Sequence, residues 1–116
     1  MKIIIIGGSS DIGKALIEEL VKKNDIVSTY YSQNPHKENS KIISEYLDIS
    51  SKKNIDEFMS SKEINNWDSL IFLSATLKPL GLFKDNDPED WSNSININFT
   101  NQIYLLNKLL NKKNIN

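Results

Sequence analysis

The chain opens on an apolar run, Lys2-Ile3-Ile4-Ile5-Ile6, that ends at Gly7-Gly8. A β-branched run without polar alternation predicts a strand buried on both faces, as in parallel sheets. From Asp11 the period changes. Ile12, Ala15, Leu16, Leu20 and Val21 share one helical face, and Lys14, Glu18, Glu19 and Lys22 the other, which predicts a helix ending near Asn24. "DIVSTYYS", 25–32, reads as a second strand, "QNPHKENS" as a polar loop and "KIISEYLDI", 41–49, as a third strand. Ser50 or Ser51 is placed to cap a short helix carrying Ile55, Phe58 and Met59. "SLIFLSA", 69–75, reads as a fourth buried strand. Beyond "TLKPLGLFKDND", Asp87 is a predicted N-cap, with Pro88 at the first helical position and Asp90 three residues on. The helix it opens runs to about Asn111, with Trp91, Ile95, Phe99, Ile103, Leu106 and Leu110 on one stripe and Leu105 and Leu109 beside it.

Strands alternating with helices imply an α/β fold: a doubly wound parallel sheet with right-handed crossovers and helices on both faces. With 116 residues, no repeats and no low-complexity linker, the expectation is one domain spanning 1–116.

Composition narrows the chemistry. Net charge is −1 and no basic stripe is present, which argues against nucleic-acid binding. No apolar run approaches the roughly 20 residues that span a bilayer, and the N-terminus lacks a signal-peptide pattern. The expectation is a soluble cytoplasmic protein. There is no cysteine, hence no disulfide, thiolate nucleophile or zinc-thiolate site. His36 is the sole histidine and sits in the polar loop, which argues against a Ser-His-Asp triad. All 14 basic residues are lysine, and Asn and Ile are abundant, so single Lys and Asn residues carry little functional information.

The Gly-rich corner is the strongest chemical feature. Where a first parallel strand turns into a helix, glycine lets backbone approach a ligand's phosphates, and the helix aims unpaired N–H groups and its positive dipole end at the anion. Gly7, Ser9, Ser10, Ile12 and Gly13 suit that task.

In this context "GGSSDIGKAL" resembles the Gly-x-x-x-Gly-x-Gly turn of the short-chain dehydrogenase/reductase family, Rossmann-fold oxidoreductases that use NAD or NADP. "YLDIS" resembles that family's strand-3 signature, which implies that Asp48, followed by Ile49, hydrogen-bonds adenine. "IFLSAT" falls where the family carries Asn-Asn-Ala-Gly, which implies cofactor contacts from Ser74 and Ala75. "WSNSININFTNQIYL" resembles the helix bearing the family's active-site asparagine, and Asn98 is the matching position, an accessory catalytic residue by resemblance. The resemblance implies strand order 3-2-1-4. Asp11 replaces the middle glycine and is expected to point away from pyrophosphate as a local helix cap, while remaining part of the cofactor turn. At the end of strand 2, where NAD users carry an acid, Tyr31 and Ser32 are neutral, which favours NADP over NAD.

The family's catalytic serine and Tyr-x-x-x-Lys follow a fifth strand that these 116 residues do not reach. Tyr104 and Lys108 have the spacing but lie on Asn98's own helix, about 9 Å beyond it at 1.5 Å per residue; a helix-surface pair is expected. The acids Asp85, Asp87, Glu89 and Asp90 suit a helix N-terminus. Taken together, the reading is the NAD(P)-binding portion of such an oxidoreductase, truncated and inactive alone on an unidentified small-molecule substrate. Two alternatives stand beside it: a non-catalytic interaction module completing its sheet with a partner chain, and a nucleotide-sugar epimerase or dehydratase relative. In each case, an edge fourth strand and an uncovered last helix imply self-association or a partner chain.

Overall fold

The computed structural model describes residues 1–113. Its centre is a four-stranded, all-parallel sheet of β1 (Lys2–Ile6), β2 (Asp25–Tyr30), β3 (Ile42–Tyr46) and β4 (Ser69–Phe72), in the order β3-β2-β1-β4. This is the expected 3-2-1-4 order of a Rossmann-type fold. The isoleucine run fills the middle of the sheet because β1 has neighbours on both sides and helices above and below. Ile3 and Ile5 pack with Ile17, Ile26 and Ile42 under α1 (Asp11–Leu20). Ile4 and Ile6 pack on the opposite face with Val27, Leu47, Ile55, Phe58, Leu105 and Leu109, beneath α2 (Lys52–Phe58) and the C-terminal helix.

All three later strands are shorter than their apolar patterns. After Tyr30 the chain leaves the sheet for the loop. After Leu47, whose N–H still reaches the Tyr30 carbonyl, the Asp48 N–H donates to the Asn54 side chain instead of a strand. After Leu73, whose N–H donates to the Ile6 carbonyl, the Ser74 carbonyl is taken by Gln102. β4 is half-buried along its length rather than fully enclosed, because only β1 pairs with it.

The first helix is rotated from its expected face. Gly13 and Ile17 are buried, whereas Ile12 is 74% exposed and Ala15 is exposed. The cause is Gly13. A Cβ there would lie 2.7 Å from the Gly8 carbonyl oxygen, so the bare α-carbon lets the helix rest directly on the turn and sets the contact line at 13, 17 and 20–21. Ser10 is the N-cap, its Oγ accepting from the Gly13 N–H at 3.0 Å. Asp11, expected to cap, instead stands fully exposed in the first turn beside Lys14, at 3.2 Å. Ser51 caps α2 by accepting from the Asn54 N–H.

The last helix starts as expected, with Asp87 accepting from the Glu89 N–H and Pro88 next. It runs as α3 (Pro88–Ile95), a π turn over Asn96–Thr100, and α4 (Asn101–Lys112). Its core face is Asn101, Leu105 and Leu109. The longer apolar stripe from Trp91 to Leu110 lies outside.

Candidate functional site: a cleft at the C-terminal ends of the strands

The C-terminal ends of β1, β2, β3 and β4 surround a cleft of about 460 Å³, within the range of about 300–1,000 Å³ typical of small-molecule sites. Three groups of expected site residues meet there: Gly7, Ser9 and Ser10 from the first turn, Tyr31 and Ser32 after β2 with Asp48 and Ile49 after β3, and Ser74 and Ala75 after β4. Asp11, Ile12 and Gly13 continue from Ser10 into α1 and do not line the cleft with their side chains. A larger hollow, about 670 Å³, lies at the other end of the strands beside Lys22, Lys23, Asp25 and Lys41. It faces the C-terminal end of α1, whose carbonyls disfavour an anion.

The turn is built by backbone geometry. Gly7 sits at φ +86°, a conformation that L side chains rarely adopt, and a Cβ there would approach the Ser74 amide nitrogen to 2.7 Å. Its N–H donates to the Thr29 hydroxyl at 2.8 Å, and the Gly8 N–H donates to the Thr29 carbonyl. At the helix start, Ser10 uses its hydroxyl on the Gly13 N–H, and the Lys14 N–H makes the first helical bond, to the Ser10 carbonyl. The Asp11 and Ile12 N–H groups have no acceptor among the described residues, leaving two donors at the positive end of α1.

The β3 side carries the charge. Asp48 Oδ1 accepts from the Ser50 N–H at 2.9 Å and hydroxyl at 2.6 Å, which holds the carboxylate against its own loop. Partial burial and the Asp48 charge push the neighbouring Tyr46 phenol above its ordinary pKa.

Three side-chain amides from the last helix hold the cleft, two of them on the β4 side and Asn101 on the β3 side. Asn98 accepts from the Thr76 N–H at 2.8 Å and donates to the Thr76 carbonyl at 2.9 Å. Gln102 donates to the Ser74 carbonyl at 2.5 Å and to the Ile97 carbonyl at 3.1 Å. The buried Asn101 donates to the Ile49 carbonyl at 2.9 Å. Asn98 thus fastens the segment that follows β4, and its amide is committed to backbone. Sequence reading missed Asn101, Gln102, Thr29 and Thr76. A buried threonine in an apolar strand was the signal for Thr29; the amides were hidden by the chain's richness in asparagine.

Tyr104 and Lys108 are directed elsewhere. The Tyr104 hydroxyl donates to Asp56 Oδ1 at 2.8 Å, and Lys108 Nζ lies 3.3 Å from the same oxygen and 4.7 Å from the Tyr104 ring centre. The Tyr104 hydrogen bond first, and Lys108 after it, hold Asp56 below its ordinary pKa; Lys108 is raised. Neither residue lines the cleft. No helix among the described residues is long and apolar enough to cross a membrane.

Comparison with known proteins agrees with this fold. The family model described as short chain dehydrogenase matches residues 1–114. No curated protein matches the chain at a significant level. Among solved structures, a short chain dehydrogenase family protein from Francisella tularensis superposes with a TM-score of 0.82 at 21% identity, over 97% of this chain and 46% of its own. Serine dehydrogenase complexed with NADP+ gives 0.82 at 16% identity, over 97% and 48%. A short-chain dehydrogenase/reductase from Burkholderia multivorans with bound NADP gives 0.79 at 18%, over 97% and 53%. The chain spans about half the length of these structures. By the extent of the family match, the chain belongs to the short-chain dehydrogenase family.

Proposed function

We propose that this chain is the NAD(P)-binding portion of a short-chain oxidoreductase, with the diphosphate seated at the turn after β1 and the adenosine end toward Tyr31, Ser32, Asp48 and Ile49. The observation that carries the reading is the pair of unpartnered amides, Asp11 and Ile12, at the start of a helix directly after the cleft-lining Gly7, Ser9 and Ser10. The residues fit such a cofactor. The turn has no side chain at Gly7, the helix dipole favours phosphate, and no carboxylate stands at Tyr31-Ser32 to repel a 2′-phosphate. NADP is therefore preferred to NAD. Asp48 offers its remaining carboxylate oxygen as an acceptor for the adenine amino group, and Ser74 and Ala75 form the wall at the opposite end.

A bound nicotinamide supplies hydride transfer to or from a carbonyl or alcohol carbon. This chain's residues bind and orient it. Among the described residues lining the cleft, the titratable groups are Tyr30, Tyr31 and Asp48, all at the β2 and β3 side. Proton transfer at the Ser74–Ile97 side therefore has no acid to serve it. In this reading the chain binds dinucleotide without reducing a carbonyl on its own, and Asn98 acts by positioning Thr76 rather than by touching substrate. The same reading places the protein in the cytoplasm.

Titration with NADPH and NADH, followed by nicotinamide fluorescence, tests the proposal. Saturable binding, tighter for NADPH, is expected. Ser9→Glu, which adds a carboxylate to the cleft wall, is expected to abolish it without changing the far-UV circular dichroism. Absence of binding for both dinucleotides at millimolar concentration refutes the reading.

A further inference from the structure

The sheet has a second open edge, at β3, which pairs with β2 alone. The Leu47 N–H reaches the Tyr30 carbonyl. By the alternation of a strand, Glu45 and Ile43 therefore turn their backbone groups to β2 as well, while Ile42, Ser44 and Tyr46 turn theirs outward. The Ile42 N–H is taken by the Asn39 carbonyl. The Ile42 carbonyl, the Ser44 N–H and carbonyl, and the Tyr46 N–H have no backbone partner among the described residues. The Ser44 hydroxyl is buried and likewise unpartnered. Such an edge is a template for another strand.

Backbone and charge together identify the strand that fits. A second β3 laid antiparallel, with a two-fold axis at Ser44, sets Ser44 opposite Ser44, Ile42 opposite Tyr46 and Ile43 opposite Glu45. Each Ser44 N–H then donates to the other copy's Ser44 carbonyl, and each Tyr46 N–H to the other copy's Ile42 carbonyl, so every one of these outward groups is used. The two Ser44 hydroxyls face each other across the axis, where each finds the partner it lacks. Lys41, which borders the same hollow as Ile43, lies diagonal to the other copy's Glu45, within reach of a long side chain. Neither charge belongs to an ion pair among the described residues. Edge charges ordinarily fend off a second strand; here they have opposite signs and the two-fold brings each to its complement. Other registers fit less well. A shift by one residue sets outward groups against inward ones. An axis at Ile43 turns the Ser44 carbonyl to the Ile42 N–H, which Asn39 already holds. An axis at Glu45 puts two carboxylates face to face.

We propose that a second copy of this chain adds to the sheet through β3, antiparallel across a two-fold at Ser44. None of residues 41–46 lines the dinucleotide cleft, so the proposal does not depend on what the cleft binds.

Sedimentation equilibrium of the full 116-residue chain is expected to show a reversible dimer. Ser44→Pro removes an outward N–H without touching the β2 ladder, and is expected to weaken the dimer by about tenfold or more with unchanged circular dichroism. Lys41→Glu sets like charges on the diagonal and is expected to weaken it by about tenfold; adding Glu45→Lys is expected to restore it. Cysteine cross-linking reads the register, since the chain contains no native cysteine. Ser44→Cys is expected to form a disulfide with its own copy, the α-carbons lying about 5.5 Å apart. Lys41→Cys is not, because its two copies lie about 20 Å apart along the strands at 3.3 Å per residue. A wild-type monomer at hundreds of micromolar overturns the proposal. So does a dimer indifferent to Ser44→Pro, as one formed through β4 or the last helix would be, or Lys41→Cys cross-linking with itself. Should Ser44→Pro not fold, the Lys41→Glu variant and its rescue decide by the same criterion.

Discussion

Gly13→Ala tests whether the turn is as tightly built as the structure draws it. The added Cβ would lie 2.7 Å from the Gly8 carbonyl oxygen and 2.8 Å from the Gly8 carbonyl carbon and α-carbon. All three are backbone atoms, so no side chain can swing away. Restoring ordinary contact at 3.4 Å requires the helix start to retreat by about 0.7 Å from that approach, and a gap of that size forfeits a quarter to a half of each affected dispersion contact. Ile17, fully buried one turn later, shares the loss. Overpacking of this kind costs about 1–3 kcal/mol. Alanine's better helix propensity returns up to about 1 kcal/mol, leaving a net loss of about 0–3 kcal/mol, centred near 1–2 kcal/mol because the clash is with backbone on all three sides. In urea, with a slope of about 1–3 kcal/mol per molar, the midpoint should fall by roughly 0.5–1 M at unchanged slope. The same retreat moves the Asp11 and Ile12 amides, so NADPH affinity should fall with it. A variant as stable as the wild type, or more so, would show that Gly13 is not a close-approach glycine and that the docking of α1 is wrongly described.

Three further outcomes follow from the same structure. Asn101→Leu removes the donor to the Ile49 carbonyl and should cost about 1–3 kcal/mol in urea unfolding, with weaker dinucleotide binding because Ile49 lines the cleft. Ser10→Ala removes the cap on the Gly13 N–H and should cost about 1 kcal/mol, read as a lower melting temperature. Asp56 is held below its ordinary 3.8 chiefly by Tyr104, so that contribution is present above pH 3.8 and disappears as pH falls through the lowered folded value. The melting temperature of Tyr104→Phe should therefore lie below that of wild type at neutral pH and converge with it under acid; a constant gap would deny the linkage.

Much of the fold could be read because its signals are local and redundant. Four consecutive isoleucines have few resting places other than a central parallel strand, and Asp87-Pro88 marks a helix start by two independent effects, the cap and the fixed φ of proline. What failed was rotation about the helix axes. Periodicity assigned the core face of α1 by its larger side chains, yet the smallest residue in that helix decides the contact, because Gly13 permits an approach that Ile12 would block. The strand ends were overrun for a related reason: the strand pattern of "SLIFLSA" was carried through the small residues Ser74 and Ala75, but the pairing stops where Gln102 claims the Ser74 carbonyl, a contact 28 residues away.

The site shows the same division more sharply. Gly7, Ser9, Ser10, Tyr31, Ser32, Asp48, Ile49, Ser74 and Ala75 come to one cleft because each follows the end of a strand, and strand ends are visible as changes in pattern. The amides that hold the two sides of the cleft do not announce themselves. Asn98, Asn101 and Gln102 sit among many asparagines, and their directions depend on the π turn over Asn96–Thr100, which no uniform helical period anticipates. That extra residue settles two questions together. It points Asn101, Leu105 and Leu109 at the sheet, so the amides reach Ile49 and Ser74, and it leaves the stripe from Trp91 to Leu110 straight and in water. Cleft wall and outer face are opposite sides of one helix. Closing the π turn by deleting one residue within Asn96–Thr100 should rotate α4 by about 100° at 3.6 residues per turn, stripping the wall of its amides and breaking the apolar stripe in one step. If dinucleotide binding survives that deletion, it does not depend on the helix in the way its geometry requires.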